Sequence, residues 1–197
     1  MTFEQSIAFL IFAVVAAVTP GPSNVMLAAA GSAAGVLRGL PCLIGVSLGM
    51  GTLFFAVALG LGQVVLAHPA ILQALNWIGA AFLLWLAWKI ASSGAMSATA
   101  SDEPVGLLSA ALFQWINPKA WLVVTSAAGT YLTADAGALT QAISLALLFI
   151  AAALPSGFVW LAFGASVHRL LRAPRAARLF NLAMGLCLAA SVAFIIW

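Results

Sequence analysis

Two short stretches set backbone-breaking and hydrogen-bonding residues inside apolar surroundings: VTPGPSNVM, Val18 to Met26, and QWINPKAW, Gln114 to Trp121. In the first, Pro20 and Pro22 lack a backbone donor and each ring crowds the carbonyl four residues earlier, so Ala16 and Val18 lose their helical partners. Thr19 and Gly21, each preceding a proline, are pushed out of the α region. Pro22 then suits the first position of a new helical segment, whose early amides at Ser23 and Asn24 point back into the gap. In the second stretch Asn117 can cap, Pro118 fits the first helical position, and the amides of Lys119 and Ala120 are left free. The chemistry this suggests is anion binding. Two helix amino ends, each worth about half a positive charge, with Lys119 beside them, suit a carboxylate such as an amino acid's. Ser23, Asn24 and Asn117 offer hydrogen bonds to it. Trp115 or Trp121 offers a stacking surface, although core or lipid-facing roles for both stay at least equally open.

The elements that must position these groups follow from composition. Of 197 residues, 65% are hydrophobic and only 6% charged, against roughly a quarter charged in soluble domains, so an all-α integral membrane protein is expected. Apolar stretches of about 20 residues are needed to cross a hydrocarbon core roughly 30 Å thick. Six occur, at Phe3 to Gly31, Leu40 to Leu66, Ala70 to Ile90, Val105 to Leu132, Leu139 to Val167 and Leu179 to Trp197. The Met1 end carries no Lys or Arg ahead of its apolar run, so it reads as a first span rather than a cleaved leader. Small and polar residues fill Ser92 to Pro104, the composition of a loop. A single transmembrane domain, 1–197, is thus divided into a first three-helix half (3–91), a cytoplasmic loop (92–104) and a second half (105–197).

Cations set the orientation, because Lys and Arg near span ends stay in the cytoplasm. Arg38, Lys89, Arg169, Arg172, Arg175 and Arg178 all fall on one side of an alternating six-span path, and Glu4, His68 and Asp135 on the other. Both termini then face away from the cytoplasm. These six cations are read as topology anchors and lipid contacts, each arginine near an anionic leaflet being worth about 1 kcal/mol. Pro174 would interrupt any single helical face through the arginine cluster.

The two breaks occupy the first span of each half. Three spans per half is an odd number, so the second half runs inverted, and paired interruptions in inverted halves point to a transporter site at the repeat interface. Counting about 1.5 Å per residue, Asn117 lies roughly 18 Å from Val105 and Pro20 about 20 Å from Ile7, which puts both breaks at similar depth. A lysine there costs roughly 2.5 to 3.5 kcal/mol and implies a cavity or a partner. The bland alternative starts the fourth span at Ala120 and leaves Lys119 at the surface, but Ala120 to Asp135 is shorter than about 17 residues. Gly31, Gly35, Gly39, Gly45 and Gly49 read as close-packing positions, and Pro155 as a further hinge or a kink.

VTPGPSNVMLAAAGSAAGVLRGLPCLIGVSLGMG, LNWIGAAFLLWLAWK and LLSAALFQWINPKAWL together resemble the LysE/RhtB family of bacterial amino-acid exporters, in order and over essentially the whole chain. The resemblance implies six helices in a 3+3 inverted repeat, location in the bacterial inner membrane, and export of an amino acid coupled to the proton gradient. It rests most on Thr19, Pro20, Gly21, Pro22, Asn117, Pro118 and Lys119. The basic-amino-acid branch carries acidic residues in its second and fourth spans, whereas Leu40 to Leu66 and Val105 to Leu132 hold no Asp or Glu. A cationic side chain would have no partner there, so the RhtB-like branch, with neutral substrates of the homoserine, threonine, cysteine-pathway or leucine kind, is the nearer likeness.

Two other classes compete. An enzyme would need a nucleophile with a base, or paired aspartates, at membrane depth; no Asp lies within a span, and Cys42 and Cys187 are far apart. A structural or assembly subunit would not require Thr19, Ser23, Asn24 and Lys119 to occur together. The expected partners are therefore a small-molecule substrate, lipids and protons, with no cofactor, metal or nucleic acid, and with a homo-oligomer left open.

Overall fold

The computed structural model describes residues 1–92, 105–133, 137–170 and 174–196, and among them the fold is helical throughout with no strand. Ser92 aside, the expected 92–104 loop lies outside the described residues, as do Arg172 and Asp135. Helix α1 (Phe3–Val18) opens on a capping box, in which the Thr2 hydroxyl accepts from the Gln5 amide and the Gln5 side chain accepts from the Thr2 amide. It ends where the prolines require. Helix α2 (Pro22–Ala56) starts three residues later and passes through a π-helical turn, Val57–Leu61, into α3 (Gly62–Ala67). His68 separates α3 from α4 (Pro69–Ser92), and its Nδ1 lies 2.7 Å from the Val64 carbonyl oxygen. Helices α5 (Leu107–Ile116) and α6 (Pro118–Tyr131) are divided by Asn117 alone, and α7 (Ala138–Leu170) and α8 (Pro174–Ile196) follow.

The connection expected between Gly31 and Leu40 is a tight turn at one residue, Gly35, across which the chain doubles back: Leu27 and Leu43, eight residues to either side, both approach Gly157. One expectation is corrected, that Gly35 is a close-packing position. Gly35 has φ 77° and ψ 177°, a left-handed backbone that side chains with a Cβ avoid. A Cβ built there would meet nothing within 4 Å, so Gly35 makes the bend rather than a close contact. The other glycines of the run do pack. A Cβ on Gly31 would run into the Leu161 carbonyl, one on Gly45 the Leu107 carbonyl, and one on Gly49 the Ala111 carbonyl. Pro155 is accommodated inside a continuous α7, and Pro174 starts α8, a helix boundary within the arginine cluster.

These close approaches define the packing. Helix α2 lies along α7 and α5, α1 also rests on α7, and α4 pairs with α8. One apolar cluster joins α2, α4, α5, α7 and α8 around Leu27, Leu83, Phe113, Leu161 and Leu188; a second joins α1, α2, α6 and α7 around Phe9, Phe54, Val124 and Phe149. In the second, the Phe9 and Phe54 rings meet edge to face at 5.6 Å, a favoured aromatic arrangement. Pro22–Val65 and Ala138–Val167 are each long and apolar enough to cross a membrane. Their outward faces carry large exposed apolar side chains such as Ile44, Leu147 and Val159, as lipid contact would require.

Candidate functional site

The two interruptions meet. At the first, the missing donors of Pro20 and Pro22 leave carbonyls at the end of α1 without helical partners, and side chains from three elements take up those of Ala17 to Pro20. Asn24 Nδ2 reaches back to the carbonyls of Ala17, Val18 and Thr19 at 3.1, 3.4 and 2.8 Å. Trp160 Nε1, on α7, donates to the Val18 carbonyl at 3.1 Å. The Lys119 ammonium, on α6, donates to the carbonyl of Thr19 and lies 3.4 Å from that of Pro20. Thr19 Oγ1 turns back onto the Val15 carbonyl. The start of α2 is treated differently. Gly21 holds the cap position, and among the described residues no side chain bonds the amides that follow it.

The second interruption closes on itself. Asn117 Oδ1 accepts from the Lys119 amide at 3.1 Å, capping α6, and the Trp121 indole donates to the Trp115 carbonyl at 2.8 Å. Close packing against α4 covers the outside, where a Cβ on Gly79 would lie 2.7 Å from Pro118 Cγ. Between the breaks runs a satisfied amide network. Ser23 Oγ donates to Gln114 Oε1 at 2.9 Å, Asn117 Nδ2 donates to Ser23 Oγ at 3.0 Å and to Gln114 Oε1 at 3.3 Å, and Gln114 Nε2 donates to the Ala110 carbonyl. Gln114 and Asn117 are 0% and 2% exposed. Buried amides cost free energy unless bonded, and this network leaves no buried side-chain polar atom without a partner among the described residues.

A cleft opens where these groups converge. Gly21, Ser23, Asn24, Gln114, Asn117 and Lys119 form its polar side; Leu27, Val46, Met50, Val123, Phe149 and Ala153 face them, with small residues such as Ala17 and Gly157 between. It holds about 50 Å³ of space for a water-sized sphere, several times what one water needs, so it suits a small solute. Among the described residues Lys119 is the one charged side chain lining it. A Cβ on Gly21 would lie 2.6 Å from Lys119 Cδ and 3.0 Å from Nζ, so a side chain there would make that lysine move.

Of the residues expected from sequence, Gly21, Ser23, Asn24, Asn117 and Lys119 line the cleft, whereas Thr19, Pro20, Pro22, Pro118, Trp115 and Trp121 shape the breaks without lining it. Gln114 and Trp160 were not foreseen. The signal for Gln114 was an amide within an apolar run, one helical turn before the break; nothing local marks Trp160. Arg38, Arg175 and Arg178 are exposed and far along their helices from the cleft, and the side chains of Lys89 and Arg169 lie outside the description.

Residues 14–196 match the model of the LysE type translocator family. The chain belongs to this family. Among curated relatives, a Salmonella choleraesuis protein named cysteine/O-acetylserine efflux protein is 35% identical over 72% of each chain. Proteins of the same name from Klebsiella pneumoniae and Escherichia coli are 35% identical over 83% of each chain and 27% identical over 84% of this chain and 85% of the relative. No solved structure matches. The LysE membership makes the protein a membrane translocator of the amino-acid efflux kind and not an enzyme.

Proposed function

We propose that this LysE-family chain exports neutral amino acids or close derivatives, of the cysteine, O-acetylserine, homoserine, threonine or leucine kind, across the bacterial inner membrane at the expense of the proton gradient. The observation that carries the proposal is the pair of helix ends exposed at the first break. The carboxyl end of α1 is the negative pole of its helix and the uncapped amino end of α2 the positive pole of the next, and only Thr19, Pro20 and Gly21 separate them. A zwitterion presents the matching pair, a carboxylate toward Ser23 and Asn24 and an ammonium toward the α1 carbonyls. Asn117, held by Ser23 and Gln114, supports the carboxylate side. The side chain then faces Leu27, Val46, Met50 and Phe149, and among the described residues no acidic group lines the cleft to hold a second cation.

Six spans in a 3+3 inverted repeat fit the same picture. Helix α1 has 16 residues, α5 has 10 and α6 has 14, each short of the roughly 20 a span needs. A full crossing therefore joins the pieces on either side of each break. The pairing of α4 with α8, the third helices of the two halves, supports an internal two-fold.

The test is counterflow in liposomes: protein loaded with unlabelled O-acetylserine should take up labelled O-acetylserine, and neutral amino acids should compete. Lysine or arginine competing equally well would sink the neutral-substrate reading, and equal competition by lactate would move the protein to exporters of simple carboxylates. Absence of any exchange would favour a structural or assembly subunit. Termini on the periplasmic side predict that Arg172→Cys, in a chain lacking Cys42 and Cys187, stays unlabelled by an impermeant thiol reagent in intact cells.

A further inference from the structure

We propose that the Lys119 ammonium and the substrate's α-ammonium compete for one seat, the backbone carbonyls at the end of α1, so that binding a substrate expels a proton from Lys119. This rests on the exporter reading above and adds to it the residue that carries the coupling. In the substrate-free protein the lysine reaches across from the second half of the chain to the Thr19 and Pro20 carbonyls. It behaves there as a tethered copy of a substrate's cationic end. The neighbouring carbonyls are already engaged, since Asn24 donates to those of Ala17, Val18 and Thr19 and Trp160 to that of Val18. A second ammonium directed at Thr19 and Pro20 would therefore meet the first.

Displaced from that seat, Lys119 finds no protein anion among the described residues to keep it charged, and the substrate's carboxylate is engaged by the α2 amides at Ser23 and Asn24. Helix α1 carries Glu4 only, about 22 Å along the helix from Thr19 at 1.5 Å per residue. Helix α2 carries Arg38 beyond the Gly35 bend and the thiol of Cys42; α5 carries no titratable group; α6 has Lys119 itself and Tyr131 at its far end. Helix α7 contributes His168 and Arg169, two turns or more past Trp160, and α4 only Lys89 near its end. With a second ammonium arriving beside it, the N–H bond of Lys119 breaks, the proton passes to water, and Nζ keeps the electron pair. Release of the substrate reverses the step, and the lysine takes a proton from whichever side the cleft then faces. One proton therefore enters for each amino acid that leaves, because the two cannot occupy the seat together.

The experiment uses the full chain. Counterflow of O-acetylserine by the wild type is measured first, and failure there condemns the exporter reading rather than the coupling. In weakly buffered detergent solution, binding of O-acetylserine to the wild type should then release about one proton per molecule bound, and affinity should tighten with rising pH, approaching about tenfold per unit between about pH 6 and pH 8. In Lys119→Met both signals vanish, whatever affinity the variant has. In Lys119→Arg, whose guanidinium does not titrate in this range, proton release is also lost. In voltage-clamped liposomes one pH unit acid inside, the wild type should concentrate the label about tenfold, the limit for one proton per substrate. Wild-type binding with no proton release and no pH slope overturns the proposal, as does a pH slope retained in Lys119→Met. The wild-type measurement decides alone if a variant cannot be purified.

Discussion

The two interruptions arise from the same local chemistry, a proline that withholds a donor and starts a new helix, yet they are finished in opposite ways. At α5–α6 the groups set free are taken up by residues of the break itself, Asn117 capping α6 and Trp121 answering the Trp115 carbonyl, while Gly79 brings α4 over the outside. At α1–α2 the carbonyls are held by donors from α2, α6 and α7, and the amino end of α2 has no side-chain cap. A break satisfied from within is a joint. A break satisfied by a lysine on another element can exchange its partner, and that makes it the better place for a ligand.

The largest effect should come from removing the donor that holds the first break together. Asn24→Asp keeps the shape of the side chain but replaces three donated hydrogen bonds with a buried negative charge facing three carbonyls. At roughly 1 to 3 kcal/mol for each buried polar group left unpaired, and more for a charge, the variant should lose most of its folded yield, read by size-exclusion profile and thermal unfolding in detergent. A folded and active Asn24→Asp protein would mean the carbonyl end of α1 is not sealed as described. Gly21→Val comes next. Its side chain would occupy the path of Lys119, which passes within 2.6 Å of a Cβ at that position; exchange should fall by at least about tenfold, some 1.4 kcal/mol, with little change in unfolding temperature. An equal fall in a Gly21→Val, Lys119→Met pair as in either single variant would place both residues in one interaction.

How far the sequence discloses this comparison depends on how local each cause is. Proline and glycine act on their own backbone, so the positions of both breaks, the starts of α2 and α6 and the cap at Asn117 are readable from a few residues each. The pairing of the breaks is readable from their equivalent places in two halves. Gln114 and Trp160 were not, because their partners lie 91 and 142 residues away and no periodicity records a contact of that range. Gly35 misled for another reason. Its neighbours Gly31 and Gly39 share its spacing and do pack closely, and only the backbone angle separates a hinge from a contact. Arg38 is exposed three residues past that turn, where its charge suggested a connection.

The second break offers the finer tests. Asn117→Asp keeps the oxygen that caps α6 but loses the amide hydrogens given to Ser23 and Gln114, whereas Asn117→Ala loses both. The cap alone is worth about 1 kcal/mol, so the alanine variant should unfold earlier than the aspartate one. Both should weaken O-acetylserine competition in the counterflow assay, the aspartate more, because it adds a negative charge where a carboxylate is expected. If the aspartate variant binds as well as the wild type, the carboxylate does not sit beside Asn117.

The smallest effect is expected at Trp121, and it discriminates between a joint and a site. Trp121→Phe removes the indole donor and little volume, leaving the Trp115 carbonyl without its partner at a cost of about 1 kcal/mol. Since Trp121 packs in the second apolar cluster and does not line the cleft, the loss should show in the unfolding temperature, by a few degrees, and not in the concentration of O-acetylserine that half-saturates exchange. A shifted half-saturation with unchanged stability would reverse the assignment. The second break would then hold substrate through a stacking surface, and the difference between the two breaks would be one of degree.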